Sequence, residues 1–93
     1  MDFEQFRAER ARLIENTCQT SKAWRAIEGV GSGAMGLTPD SVKASPEYRR
    51  ARAEFNAAMR ALQAFNARHL KRFKAQIAAE QRAARASREG IAA

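Results

Sequence analysis

Chemistry-bearing residues are scarce in this chain, which has one cysteine, Cys18, and one histidine, His69, among 93 residues. A single thiol excludes an internal disulfide and fits a reducing compartment. No histidine lies near Cys18 in sequence, so Cys18 reads as a small buried apolar residue rather than a nucleophile. No Cys/His cluster has metal-ligand spacing, and the acidic residues are scattered as helix-surface partners of arginines. His69 stands beside Leu70 on the edge of an apolar stripe, a place for a partly buried structural histidine rather than a general base. With no catalytic constellation, the expectation is a non-enzymatic protein with no cofactor, no metal and no small-molecule substrate.

Long apolar runs are absent as well. No stretch reaches bilayer-spanning length, and Met1-Asp2-Phe3-Glu4 offers neither a basic n-region nor an apolar h-region, so a soluble, cytoplasmic protein without a membrane partner is expected. A basic amphipathic helix can lie on an anionic membrane, but the few bulky residues around Arg82 to Arg88 weigh against it. Leu, Ile, Val and Phe together number 15 of 93, against 21 Ala. That is below the fifth or so usual for a self-sufficient core, so close helix packing and association with a second copy are expected to supplement it.

Acidic residues are the third shortage. Lys and Arg number 17 and Asp and Glu 10, a net charge of +7. Residues 1 to 45 carry six cations and six anions, whereas residues 46 to 93 carry eleven cations and four anions. No acidic residue lies between Glu54 and Glu80. Such asymmetry points to an anionic partner, either nucleic acid or an acidic protein surface.

Helix breakers are confined to a few places. From Ser45 to Gly90 only Pro46 occurs, at a position where proline suits a first turn. Ser45 fits the N-cap, Glu47 the positive end of the dipole, Arg82, Arg85 and Arg88 its negative end, and Gly90 a C′ stop. One long basic helix over residues 46–89 is therefore predicted, about 65 Å long at 1.5 Å per residue. Its apolar stripe runs through Tyr48, Ala51, Phe55, Ala58, Met59, Leu62, Phe65, Leu70, Phe73 and Ile77. On the other side Arg49, Arg60, Lys71 and Arg82 recur every eleven residues, almost three whole turns, which makes a nearly straight row of cations. Lys74 and Arg85 join that row, and Arg68 completes the candidate partner-binding set. The alternative is a solvated polar face with no partner.

Ahead of it, Asp2 and Gln5 match an N-cap and N3 pair, followed by an apolar stripe of Phe3, Phe6, Leu13, Ile14, Thr17, Trp24 and Ile27. This predicts a helix over residues 2–28, kinked or split where Thr17, Thr20 and Ser21 weaken it. Trp24 is expected to anchor it against the long helix. A Gly-rich link, residues 29–38, turns the chain back. Its Gly31-Ser32-Gly33-Ala34-Met35-Gly36 satisfies G-x-G-x-x-G, but a helix precedes it where a strand is required, and Leu37 stands where a P-loop needs lysine. Nucleotide binding is not expected. A short helix over 39–44 precedes the restart at Ser45-Pro46. The fold class is thus all-α, one domain over 1–93: an antiparallel helical hairpin with one long C-terminal helix, dimerising into a helical bundle.

The run Met35-Gly36-Leu37-Thr38-Pro39-Asp40-Ser41-Val42-Lys43-Ala44-Ser45-Pro46-Glu47-Tyr48-Arg49, with Leu62-Gln63-Ala64-Phe65-Asn66 further on, resembles a group of small uncharacterised helical proteins of proteobacterial phages and other mobile elements. The resemblance covers about half of the chain. It implies origin rather than activity, and a phage origin in turn favours a small protein in the cytoplasm of a bacterial host cell that binds and alters a host machine, as small phage adaptors and inhibitors do.

Two functions follow from these features. The first is an interaction protein, a homodimer, whose basic helix face binds and modulates an acidic host protein surface. Its ground is that Phe55, Phe65 and Phe73 lie opposite the cations and are needed for the core, leaving no interleaved aromatics to stack on bases. The second is a sequence-tolerant DNA- or RNA-binding protein whose same cations contact phosphates. Helix-turn-helix spacing is not evident, because the glycine link is longer than the usual three or four residues.

Overall fold

The computed structural model describes the backbone of residues 1–92 and the side chains of residues 1–90, and all of its regular elements are helical. Helix α1 spans Phe3–Arg25, α2 Asp40–Lys43, α3 Pro46–His69 and α4 Lys74–Ala92, with a 3₁₀ turn at Ala34–Gly36 between α1 and α2.

The starts of the helices follow from their caps. The Asp2 carboxylate accepts from the Gln5 amide at 2.8 Å and the Gln5 side chain accepts from the Asp2 amide at 2.9 Å, a reciprocal capping box. At α3 the Ser45 hydroxyl accepts from the Tyr48 amide at 3.2 Å, and Pro46 occupies the first turn. Helix α1 is unbroken from Phe3 to Arg25, shorter than residues 2–28 and without the expected kink. The Thr17 hydroxyl donates to the Leu13 carbonyl and that of Thr20 to the Asn16 carbonyl, both at 2.9 Å. Both hydroxyls are thereby satisfied inside the helix instead of competing with it.

The stretch 46–89 is not one helix. It divides at Leu70–Phe73, where the Phe73 amide donates to Leu70 and that of Lys74 to Lys71, in tight three-residue turns. Neither Gly nor Pro marks the place, and the cause is tertiary. In a straight helix Phe73 and Ile77 would overhang α1, exposed. Turning the chain buries Phe73 to 4 % exposure against α1, its ring centroid 4.6 Å from that of Phe6 and 5.8 Å from that of Phe3. Burying a phenylalanine stabilises by about 1.5–3 kcal/mol, more than the few solvated helix hydrogen bonds lost at an elbow cost. At the far end the helix continues through Gly90 to Ala92, so Gly90 does not stop it.

Helix α1 runs antiparallel to α3, since Phe6 faces Phe65 at 5.5 Å while Trp24 meets Tyr48 and Phe55 at 6.3 and 5.8 Å. Helix α4 then sets off in the same sense as α1, with Arg7 bonded to Glu80 at 3.2 Å. Two aromatic clusters, Phe3-Phe6-Phe65-Phe73 and Trp24-Tyr48-Phe55, close the two ends of the α1/α3 pair, and Leu13 and Ala58 are buried between them. The interior is as thin as the composition implies. The radius of gyration is 18.4 Å, whereas a compact domain of this length has about 12 Å.

Between α1 and α3, Gly29 adopts φ +90°, and a Cβ there would lie 2.7 Å from Val42 Cγ2. Only glycine allows both the turn and the approach of α2. Cys18 is exposed rather than buried. The inward positions of α1 pass through Leu13, Thr17 and Trp24, and Cys18 falls about 100° around the helix from Thr17.

Candidate interaction surface

Four ion pairs occur among the described residues: Arg7 with Glu4 and with Glu80, Arg12 with Glu9, and Arg50 with Glu54. Other arginines rest on rings. The Arg52 guanidinium lies 4.3 Å from the Trp24 ring centre and 5.2 Å from that of Phe55, and Arg72 lies 5.1 Å from that of Phe73. The Glu9 carboxyl is held below its ordinary range by the hydrogen bond from Arg12, whose own value rises in return. Arg49, Arg60, Arg68, Lys71, Lys74, Arg82 and Arg85 take part in none of these pairs, and all seven are exposed.

The elbow redistributes them. Arg49, Arg60 and Arg68 are on α3, with Arg49 and Arg60 aligned about 16 Å apart along one side. Lys71 lies in the turn and Lys74 opens α4, so the straight row ends there, and Arg82 and Arg85 belong to a helix with a different direction. What the elbow gathers instead is a cleft of about 790 Å³ between α1, α3 and α4. Lys71 and Lys74 stand on it together with Arg10 of α1, over Ala67, Leu70, Ile77 and Ala78. Arg10 had no sequence signal as a member of this group, because its place there exists only once α4 has turned back. A smaller cleft between α1 and α4, of about 300 Å³, is lined by Phe3, Phe6, Ile14 and Ile77 and crossed by the Arg7–Glu80 pair.

His69 is half-buried with its ring centre 4.8 Å from that of Phe65. Among the described residues no three His, Cys, Asp or Glu side chains are placed to hold a metal ion, and no helix is long and apolar enough to cross a membrane. Trp24 is half-buried as the anchor of α1 on α3, with its indole N–H buried and unbonded. Comparison with known proteins finds no matching family model, no similar curated protein and no similar solved structure.

Proposed function

We propose that this chain is a non-enzymatic interaction protein that binds an acidic surface of another protein through the exposed cations of α3 and the elbow, with Arg60, Lys71 and Lys74 at the centre. One observation carries the reading: the seven cations are exposed and unpaired while ten of the chain's charged residues are acidic and lie elsewhere. Unpaired positive charge left on a surface steers and orients a negatively charged partner. The aromatics support a protein partner over nucleic acid, since Trp24 stacks on Phe55 while Phe65 and Phe73 stack on Phe6, so these rings are taken up by helix packing rather than presented to bases. The resemblance to phage and mobile-element proteins supports taking that partner as a host complex in the bacterial cytoplasm, with this chain as its modulator.

A homodimer is not required by this reading. Of the apolar residues beyond the middle of the second half, Phe73 is covered by the chain's own α1 and Ile77 sits half-buried beside it, while Leu70 stays exposed, and the thin core that suggested a second copy is compatible with either state. The test is capture of partners from a bacterial lysate with the unmodified protein and with Arg60→Glu, Lys71→Glu, Lys74→Glu combined. The triple variant is expected to stay helical by circular dichroism and to lose the complex. A folded triple variant that keeps the complex makes the cations a solvated face only. Salt-sensitive capture of DNA or RNA in place of protein favours phosphate binding through the same residues.

A further inference from the structure

The reading of an acidic protein partner can be narrowed, and the following rests on it. We infer that the cleft at the α3–α4 elbow is a docking site for an acidic amphipathic segment, one that sets apolar side chains into the cleft and carboxylates against its rim. The floor is apolar and low: Leu70 is 37 % exposed, and Ala67 and Ala78 contribute little more than their Cβ atoms. The rim is cationic, with Arg10, Lys71 and Lys74, and no carboxylate is among the residues lining it.

Arg10 is prepared for such a ligand. Its Nε donates to Asn66 Oδ1 at 3.3 Å, which fixes the side chain across from α1 to α3. Both terminal NH₂ groups remain without a protein acceptor among the described residues. A guanidinium held from behind presents its fork to a carboxylate with less ordering cost than a free one.

The same features decide between occupants. Nucleic acid would find cations but no ring at the floor on which to stack a base. A second copy brings a net charge of +7 to an already cationic rim. A bilayer favours a convex or flat apolar face, whereas this one is concave, between three helices. Charge complementarity with an apolar floor fits a segment bearing Asp or Glu beside Leu, Ile, Met or Phe at helical spacing, the groove-binding mode of amphipathic helices.

The probe is a ribosome-displayed library of random peptides about 16 residues long, roughly four helical turns, selected on the full-length protein. Enriched peptides are expected to be net negative, with large apolar residues three or four apart. The best of them, made synthetically with a fluorophore, should bind at least about tenfold more weakly to Leu70→Asn and to Lys71→Glu with Lys74→Glu. Lys22→Glu with Lys43→Glu, at exposed positions outside both the cleft and the partner-binding cations, should change its affinity by less than about threefold. All positions changed are exposed, and circular dichroism verifies the fold. No enrichment, enrichment of neutral or basic peptides, or indifference to Leu70→Asn overturns the inference. Acidic peptides that depend on Arg49 and Arg60 but not on Leu70 overturn the cleft while leaving the acidic-partner reading standing. Failure to enrich acidic peptides at all, together with tight binding of random DNA, overturns both.

Discussion

Phe73 stacks on Phe6 with ring centroids 4.6 Å apart and planes 28° from parallel, joining the elbow after α3 to the first turns of α1. These are two of the four apolar residues buried below a tenth of their surface, at 4 % and 1 % exposure. The third arm of the fold thus hangs largely on the packing of Phe73 against Phe6 and Phe3 and on the Arg7–Glu80 pair, whose two side chains are about half exposed and which is worth little by itself.

Phe73→Ala is therefore expected to cost about 3–5 kcal/mol in chemical denaturation, a large fraction of the stability of a domain this size. It should also free α4, read as a rise in the radius of gyration in small-angle scattering. A loss under about 1 kcal/mol with unchanged dimensions would mean that Phe73 does not hold the elbow.

Arginines that look equivalent in sequence are expected to separate by role. Arg52→Ala removes a guanidinium 4.3 Å from the Trp24 ring centre and should cost about 0.5–2 kcal/mol, with a shift in the emission of the only tryptophan. Arg60→Ala, exposed and unpaired, should stay within about 0.5 kcal/mol of the unmodified protein and leave the emission alone. Phe65→Ala, on the aromatic side of the same helix, should cost several times more. Equal effects at Arg52 and Arg60 would contradict this division of α3.

Two glycines of the link give a paired test. Gly29 and Gly36 both have positive φ, +90° and +75°, but a Cβ at Gly29 meets Val42 at 2.7 Å while one at Gly36 meets nothing within 4 Å. Gly36→Ala should cost only the backbone strain of about 1 kcal/mol, and Gly29→Ala more than that, because α2 has to move as well. Thermal melts that rank the two in the opposite order would show that Val42 does not constrain the turn.

What could be read from the sequence was local. The Asp2-Gln5 box, the Ser45-Pro46 restart and the short helix near Asp40 depend on neighbours within a few residues, and they stand where the pattern puts them. The elbow at Leu70–Phe73 carries no breaker, and its cause, the burial of Phe73 against Phe3 and Phe6, lies at the other end of the chain. Eleven-residue spacing made Arg49, Arg60, Lys71 and Arg82 a straight row only on the assumption of a continuous helix. Once the chain turns, Arg10 joins Lys71 and Lys74 and the distal arginines depart, a grouping that helix periodicity cannot express.

The identity of the anion that meets these cations is decided by titrating the unmodified protein into a labelled random-sequence DNA duplex at low and at physiological salt, followed by fluorescence anisotropy. With an acidic protein surface as the partner, binding at physiological salt should be immeasurable, and any low-salt association should vanish as ions screen it. Tight binding that persists at physiological salt, with a log–log salt slope showing several phosphates neutralised and lost on reversing Arg60, Lys71 and Lys74, would contradict that reading and make the basic surface a phosphate-binding one.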